Sequence, residues 1–223
     1  MIMDTPVVSV IIPVRNGTKY LREAIASIKS QGVDTDIIVV DDGSIDDTAA
    51  IAAAEGCTVI SQPVSRGQVV AKNVGLGRAS GRYVMFMDHD DVMRAGVLGR
   101  FVAALDEHPE WAAVQARVKD FISPEIGSLP GILIREDSYY GLFTAAILIR
   151  REVFDTVGPF PEAFKTGEII WWFDKMEQNS LPIEKLDFVS TDRRIHNTNF
   201  GRTDRKTEMQ NYAAILRERL RRG

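Results

Sequence analysis

Residues able to do chemistry gather in two acidic stretches, each directly behind an apolar run. One is "MFMDHDD" (Met85–Asp91) and the other is "VVDDGSIDDT" (Val39–Thr48). Crowded carboxylates repel one another unless a cation lies among them. A hard divalent ion such as Mg²⁺ or Mn²⁺ answers that need, because it takes oxygen ligands. Mg²⁺ commonly binds one or two carboxylates and completes its shell with phosphate and water. The pattern therefore points to a metal–diphosphate site. Taken singly, either stretch reads equally well as an Asp-rich turn that starts a helix. His89 sits between the acids. Strand side chains alternate, so it is expected to point away from them.

The elements that must carry these acids are strand–helix units. Val7–Ile12, Asp36–Val40, Thr58–Ser61 and Tyr83–Met87 are β-branched or nearly continuous apolar runs, expected to be strands covered on both faces. Between and after them, Lys19–Gln31, Ser44–Glu55, Gly67–Ala79 and Ala95–Glu107 read as helices, with apolar residues at helical spacing. Four such units in residues 1–110 predict an α/β fold with a doubly wound, mainly parallel, Rossmann-like sheet. Ligands in such sheets bind at the carboxyl ends of the strands. Those ends carry Pro13–Gly17, Asp41–Ser44, Ser61–Gly67 and Asp88–Asp91. The second half is less regular. It suggests strands at Ala112–Lys119, Ala145–Ile149 and Phe188–Ile195, a loop or short hairpin at Ser123–Ser138, and helices at Glu168–Gln178 and Lys206–Arg222. No linker divides the chain, so residues 1–223 are read as one domain.

Composition narrows the classes. The 223 residues are 45% hydrophobic and 26% charged, with a net charge of −4. That balance fits a globular protein and gives no general attraction for nucleic acid. The single cysteine, Cys57, excludes a disulfide within the chain and reads as a core thiol. No secretory leader and no run near the roughly 20 apolar residues of a membrane span is visible, so a cytoplasmic location is expected.

Four segments occur in a set order: "VSVIIPVRNG", "VVDDGSIDDT", "AKNVGLGRASG" and "MFMDHDD". In that order the chain resembles the family 2 glycosyltransferases of GT-A fold, closely from Val7 to Asp91 and more loosely to His196. The resemblance implies a metal-dependent, inverting enzyme that moves a sugar from a nucleotide-diphosphate sugar, UDP-linked in the first instance, to an acceptor hydroxyl. It implies a nucleotide-sugar half (1–110), an acceptor half (111–205) and a basic C-terminal helix (206–223). Pro13, Arg15 and Asn16 would line the nucleotide pocket. Asp42 would accept from the base, and Lys72 would lie near the diphosphate. Asp88 and Asp90 form the D-x-D, and Asp90, Asp91 and His196 would hold Mn²⁺ or Mg²⁺. Which acid touches metal and which touches ribose stays open among Asp88, Asp90 and Asp91. Arg193, Arg194 and Asn199 stand near His196 as candidate diphosphate contacts or surface groups.

The family usually shows a Glu-Asp pair ahead of a Trp-rich helix. Here "TGEIIWWFDKM" (Thr166–Met176) keeps Glu168 but places Ile169 where the aspartate would be. Glu168 is taken as the general base, with its pKa raised by an aromatic, half-desolvated setting. Asp174 is the reserve. Trp171 and Trp172 are expected on different sides of the helix. The acceptor would be a glycan, a lipid-linked molecule or a peptide. The arginine-rich C-terminal helix is read as a solvated face, with peripheral membrane contact or pairing in a homodimer as alternatives. The competing functions are a nucleotidyltransferase, a catalytically inactive nucleotide-sugar-binding protein motivated by Ile169, and a plain metal-binding module.

Overall fold

The structure is a computed structural model that describes residues 6–127, 134–197 and 199. Among the described residues, eight strands form one sheet in the order β3-β2-β1-β4-β7-β6-β8-β5. They are β1 (Val8–Val14), β2 (Thr35–Asp41), β3 (Thr58–Ser61), β4 (Tyr83–Phe86), β5 (Val92–Met93), β6 (Ala113–Ile122), β7 (Ile147–Arg150) and β8 (Ile183–Ile195). The helices are α1 (Leu21–Lys29), α2 (Thr48–Ala54), α3 (Gln68–Arg78), α4 (Val97–Glu107), α5 (Val153–Val157) and α6 (Glu168–Gln178). The candidate helix at Lys206–Arg222 lies outside the described residues.

β1 is buried along its whole length, and its side chains alternate between two cores. Val8, Val10, Ile12 and Val14 pack with apolar residues of α1, α2 and α4, whereas Ile11 packs with those of α3, α5 and α6. The result is a sheet between two helical layers, which explains why its central strands read as unbroken apolar runs. β1 pairs in parallel with β2 on one side and β4 on the other. Chain order reverses there, so a crevice is expected at the carboxyl ends of β1 and β4. Pro13 is tolerated in this central strand because β4 stops at Phe86. The last bond from that side runs from Met87 N–H to the Ile11 carbonyl, so Pro13 has no ladder donor to lose.

The second half departs from simple repetition. β7 inserts antiparallel to both β4 and β6, and β6 and β8 then run parallel to each other. The carboxyl ends of β4, β6 and β8 therefore share one edge of the sheet with those of β1, β2 and β3. β8 starts five residues before the expected Phe188, and the two-residue β5 had no sequence signal of its own. No described helix is long and apolar enough to cross a membrane.

Candidate active site

The tips of β1, β2 and β3 are tied together by polar contacts. Asn16, in a left-handed conformation at φ 53°, donates its backbone N–H to Ser44 Oγ at 2.8 Å and accepts from Ile45 N–H through Oδ1 at 3.0 Å. Gly17 N–H donates to the buried Thr48 hydroxyl at 2.8 Å. Arg15 and Asn16 are exposed at this edge, while Pro13 is buried. Asp42 is 4% exposed. Its carboxylate accepts from Gln62 Nε2 (2.9 Å), Ser65 Oγ (2.6 Å), Arg66 N–H (2.7 Å) and Gly67 N–H (2.9 Å). Those four donors occupy about all the lone-pair sites a carboxylate offers. Asp42 thus clamps the loop that leads into α3, and a base could bond to it only by displacing a donor. Gln62 and Ser65 carried no sequence signal, because their partner belongs to another strand.

The acid loop after β4 meets the end of β8. Asp90 Oδ2 lies 2.8 Å from His196 Nε2 and 3.4 Å from Asn199 Nδ2. Burial pushes the Asp90 carboxyl up, but the hydrogen bond from His196 and the charges of His89 and His196 outweigh it and hold the carboxyl below its ordinary value. Tyr20 covers His196 with ring centroids 5.0 Å apart. Asp88 accepts from Gln68 Nε2 at 3.0 Å. Asp91 differs from expectation. It is 5% exposed, and its Oδ1 accepts the Arg194 backbone N–H at 2.9 Å, which turns the group to a structural task. Burial, then the Asp90 and Asp88 charges, raise its pKa well above the usual carboxylate range.

Arg194 organises this loop from beneath. It is 4% exposed. Nε donates to the Asp90 carbonyl (2.8 Å), Nη1 to Ser123 Oγ (3.2 Å) and Nη2 to Glu23 Oε2 (2.5 Å). Its guanidinium lies between Tyr20 and Phe121, 4.6 and 4.7 Å from the ring centroids. Arg193 points to the other face of β8, where it lies over Phe143 at 4.6 Å and reaches Asp120 at 3.5 Å. Neither arginine is a loose surface charge.

Lys72, the candidate diphosphate contact, is bonded to buried side chains. It shares the inner face of α3 with Gly75, one turn on. Gly75 allows close contact, since a Cβ there would lie 2.4 Å from Ile11 Cγ2. The Lys72 ammonium, 3% exposed, donates to Glu168 Oε1 at 2.6 Å and to Thr144 Oγ1 at 3.4 Å. Burial works to lower its pKa, but the Glu168 and Asp88 charges prevail and raise it. Asp88 is raised, by burial first, with Lys72 opposing and Asp90 adding.

Glu168 is the first residue of α6, placed by Gly167 at φ 79° in the left-handed region that favours glycine. It is 5% exposed and ion-paired, so its setting is a cation and not the aromatic surface expected from sequence. Ile169 is buried in the apolar layer. Asp174 lies about 9 Å further along the axis and roughly 120° around it, where it accepts from Gln178 at 2.7 Å. Trp172 is core. It stacks on Phe154 at 5.0 Å and donates its indole N–H to the Gly158 carbonyl at 3.2 Å, whereas Trp171 is half-buried beside Lys175.

The residues that converge at the strand ends are thus Asp88, Asp90 and His196, with Lys72 and Glu168 adjoining Asp88. Their carboxylate oxygens suit Mn²⁺ or Mg²⁺, and an imidazole nitrogen among them favours Mn²⁺. Among the described residues, no group of three or more His, Cys, Asp or Glu side chains is arranged to hold a metal.

Comparison with known proteins places this arrangement. The family model described as glycosyl transferase family 2 matches residues 9–160. An uncharacterized glycosyltransferase of Rickettsia prowazekii is 42% identical, over 86% of this chain and 65% of that protein, so the chain spans about two thirds of its length. Two solved structures share the fold. S. aureus TarS in complex with UDP-GlcNAc has a TM-score of 0.72 at 23% identity, over 86% of this chain and 59% of that one. The mannosyltransferase PcManGT from Pyrobaculum calidifontis, in complex with GDP-Man and Mn²⁺, has a TM-score of 0.73 at 19% identity, over 99% of this chain and 66% of that one. The sheet is of GT-A type, and the chain belongs to glycosyl transferase family 2.

Proposed function

We propose that this chain forms a single GT-A domain that transfers a sugar, with inversion, from a nucleotide-diphosphate sugar to an acceptor hydroxyl. The observation that carries the reading is the contact of Asp90 with His196 at the sheet's switch point, with Asp88 in the same loop and the Lys72–Glu168 pair near enough for its charges to act on Asp88. A UDP-sugar is the first donor to test. GDP-mannose is the second, because structural neighbours are complexed with each kind. Asp90 and His196 would hold Mn²⁺ or Mg²⁺, which would supply positive charge against the leaving diphosphate. Arg15 and Asn16 would border the nucleotide. Glu168 would take the acceptor hydroxyl's proton, and attack from the face opposite the leaving group gives inversion. The acceptor is a glycan, a lipid-linked molecule or a peptide, met in the cytoplasm. Contact with a membrane surface or a second copy through residues 206–223 belongs to the same proposal.

Thermal shift with UDP-GlcNAc and GDP-mannose, with and without Mn²⁺, tests the reading. Ligand at about 100 times its Kd adds about 2.7 kcal/mol, which is about 5–10 °C for a chain of this size. No shift with any nucleotide-sugar would count against the reading. Glu168→Gln should remove transfer, by about 10²–10⁴-fold, and spare donor binding. The second reading, a donor-binding protein without catalysis, is favoured by Ile169 in the acid's place. It predicts the same thermal shift and no donor turnover in the unmodified protein.

A further inference from the structure

We propose that Lys72 is a positioning residue for Glu168 and not a ligand of the donor diphosphate. The proposal rests on Glu168 being the base. Lys72 and Glu168 lie 96 positions apart, on α3 and at the start of α6, and meet with side chains only 4% and 6% exposed. The ammonium donates to Glu168 Oε1 and Thr144 Oγ1 and lies 5.9 Å from the Phe160 ring centroid. To reach a phosphate it would have to leave a buried carboxylate without its counter-charge, and breaking such a pair is strongly unfavourable. The charged groups that face Glu168 are Lys72 from α3 and Asp88 from the acid loop.

The pair also divides the work of the carboxylate. Oε1 is held by Lys72, while Oε2 accepts no hydrogen bond among the described residues. One oxygen is fixed and the other is left to receive a proton. The tether also sets the position of the first turn of α6 against α3, and so relates the acceptor half to the donor half. A base displaced by about 1 Å can lose about 10²-fold in rate.

The experiment compares Lys72→Met and Lys72→Arg in the full chain. UDP and GDP with Mn²⁺ are the binding probes, by calorimetry, and turnover of UDP-GlcNAc or GDP-mannose is the activity. Lys72→Met is expected to lower kcat about 10²-fold and leave nucleotide Kd within about threefold. Lys72→Arg should recover part of kcat. A fall in nucleotide affinity of about tenfold or more (about 1.4 kcal/mol), with kcat near the unmodified value at saturation, would overturn the proposal. So would a kcat that Lys72→Met leaves unchanged. If Lys72→Met does not fold, the double variant Lys72→Met/Glu168→Gln removes the lone buried charge. Unchanged nucleotide Kd in that variant supports the proposal, and the same tenfold weakening overturns it. Transfer that survives Glu168→Gln overturns the base reading instead, so the two failures are distinguishable.

Discussion

Arg194 should matter through the acid loop that it holds. Arg194→Met keeps most of the apolar stem and removes the guanidinium. Three side-chain hydrogen bonds are lost, to the Asp90 carbonyl, Ser123 Oγ and Glu23 Oε2. A hydrogen bond to a charged group contributes about 1.5–3 kcal/mol when sheltered. The Glu23 partner is 58% exposed, which reduces that pair to about 0–1 kcal/mol. Packing of the guanidinium between Tyr20 and Phe121 adds about 1 kcal/mol, and methionine restores part of it. The two sheltered bonds alone amount to about 3–6 kcal/mol, or a fall in Tm of about 6–24 °C, read by thermal denaturation. Lysine should not rescue it, because one ammonium cannot reach acceptors in three fixed directions. Arg193→Met is the control. It makes one 3.5 Å contact, to Asp120, which Tyr139 also bonds, and a ring contact with Phe143 that methionine partly keeps, so it should lose about 1–2 kcal/mol, less than Arg194→Met. The reasoning would be refuted if Arg194→Met lost less than about 1 kcal/mol and kept full donor turnover.

Two further outcomes follow from buried groups. Asp91 has a raised pKa in the folded chain, by burial first and then by Asp90 and Asp88. Stability from its protonated form is complete below the unfolded value near 3.8 and is lost as pH rises toward the folded value. Asp91→Asn, whose amide oxygen can still accept from Arg194 N–H, should therefore raise Tm at neutral pH. The gain should shrink as pH falls toward the ordinary carboxylate range, in melts between pH 4 and 8. Burial pushes the Cys57 thiol from its ordinary 9.0 up to about 11. Its thiolate fraction at pH 8 is then about 100-fold lower than for an unperturbed thiol. Iodoacetamide should accordingly label native Cys57 about 100-fold more slowly than the unfolded chain, a ratio that mass spectrometry can follow.

Much of the donor half was legible in the residues themselves. The runs "VSVII", "DIIVV" and "YVMF" are local patterns, and local burial on both faces is what they encode. Gly167 followed by Glu168 and the periodic apolar residues of α6 gave that helix its observed limits, Glu168–Gln178. The order of four polar tips was enough to resemble one family, and that family's model matches residues 9–160.

What only the tertiary structure decided is which polar groups pair. Lys72 and Glu168 are 96 residues apart, and Asp91 and Arg194 are 103 apart. No period or turn signal spans such distances. Their meeting depends on the strand order, and above all on β7 entering antiparallel between β4 and β6. The pairing of β5 with β8, Val92 opposite Asp192, then brings the end of β8, with Arg194 and His196, to the acid loop. The structure gives Asp91, a candidate metal ligand, a buried backbone N–H to accept from, and gives Lys72, a candidate phosphate contact, Glu168 as its partner. The physical reason is desolvation. A charge sealed inside the fold must find its counter-charge or donor among whatever the topology places beside it, and sequence spacing does not record that neighbour.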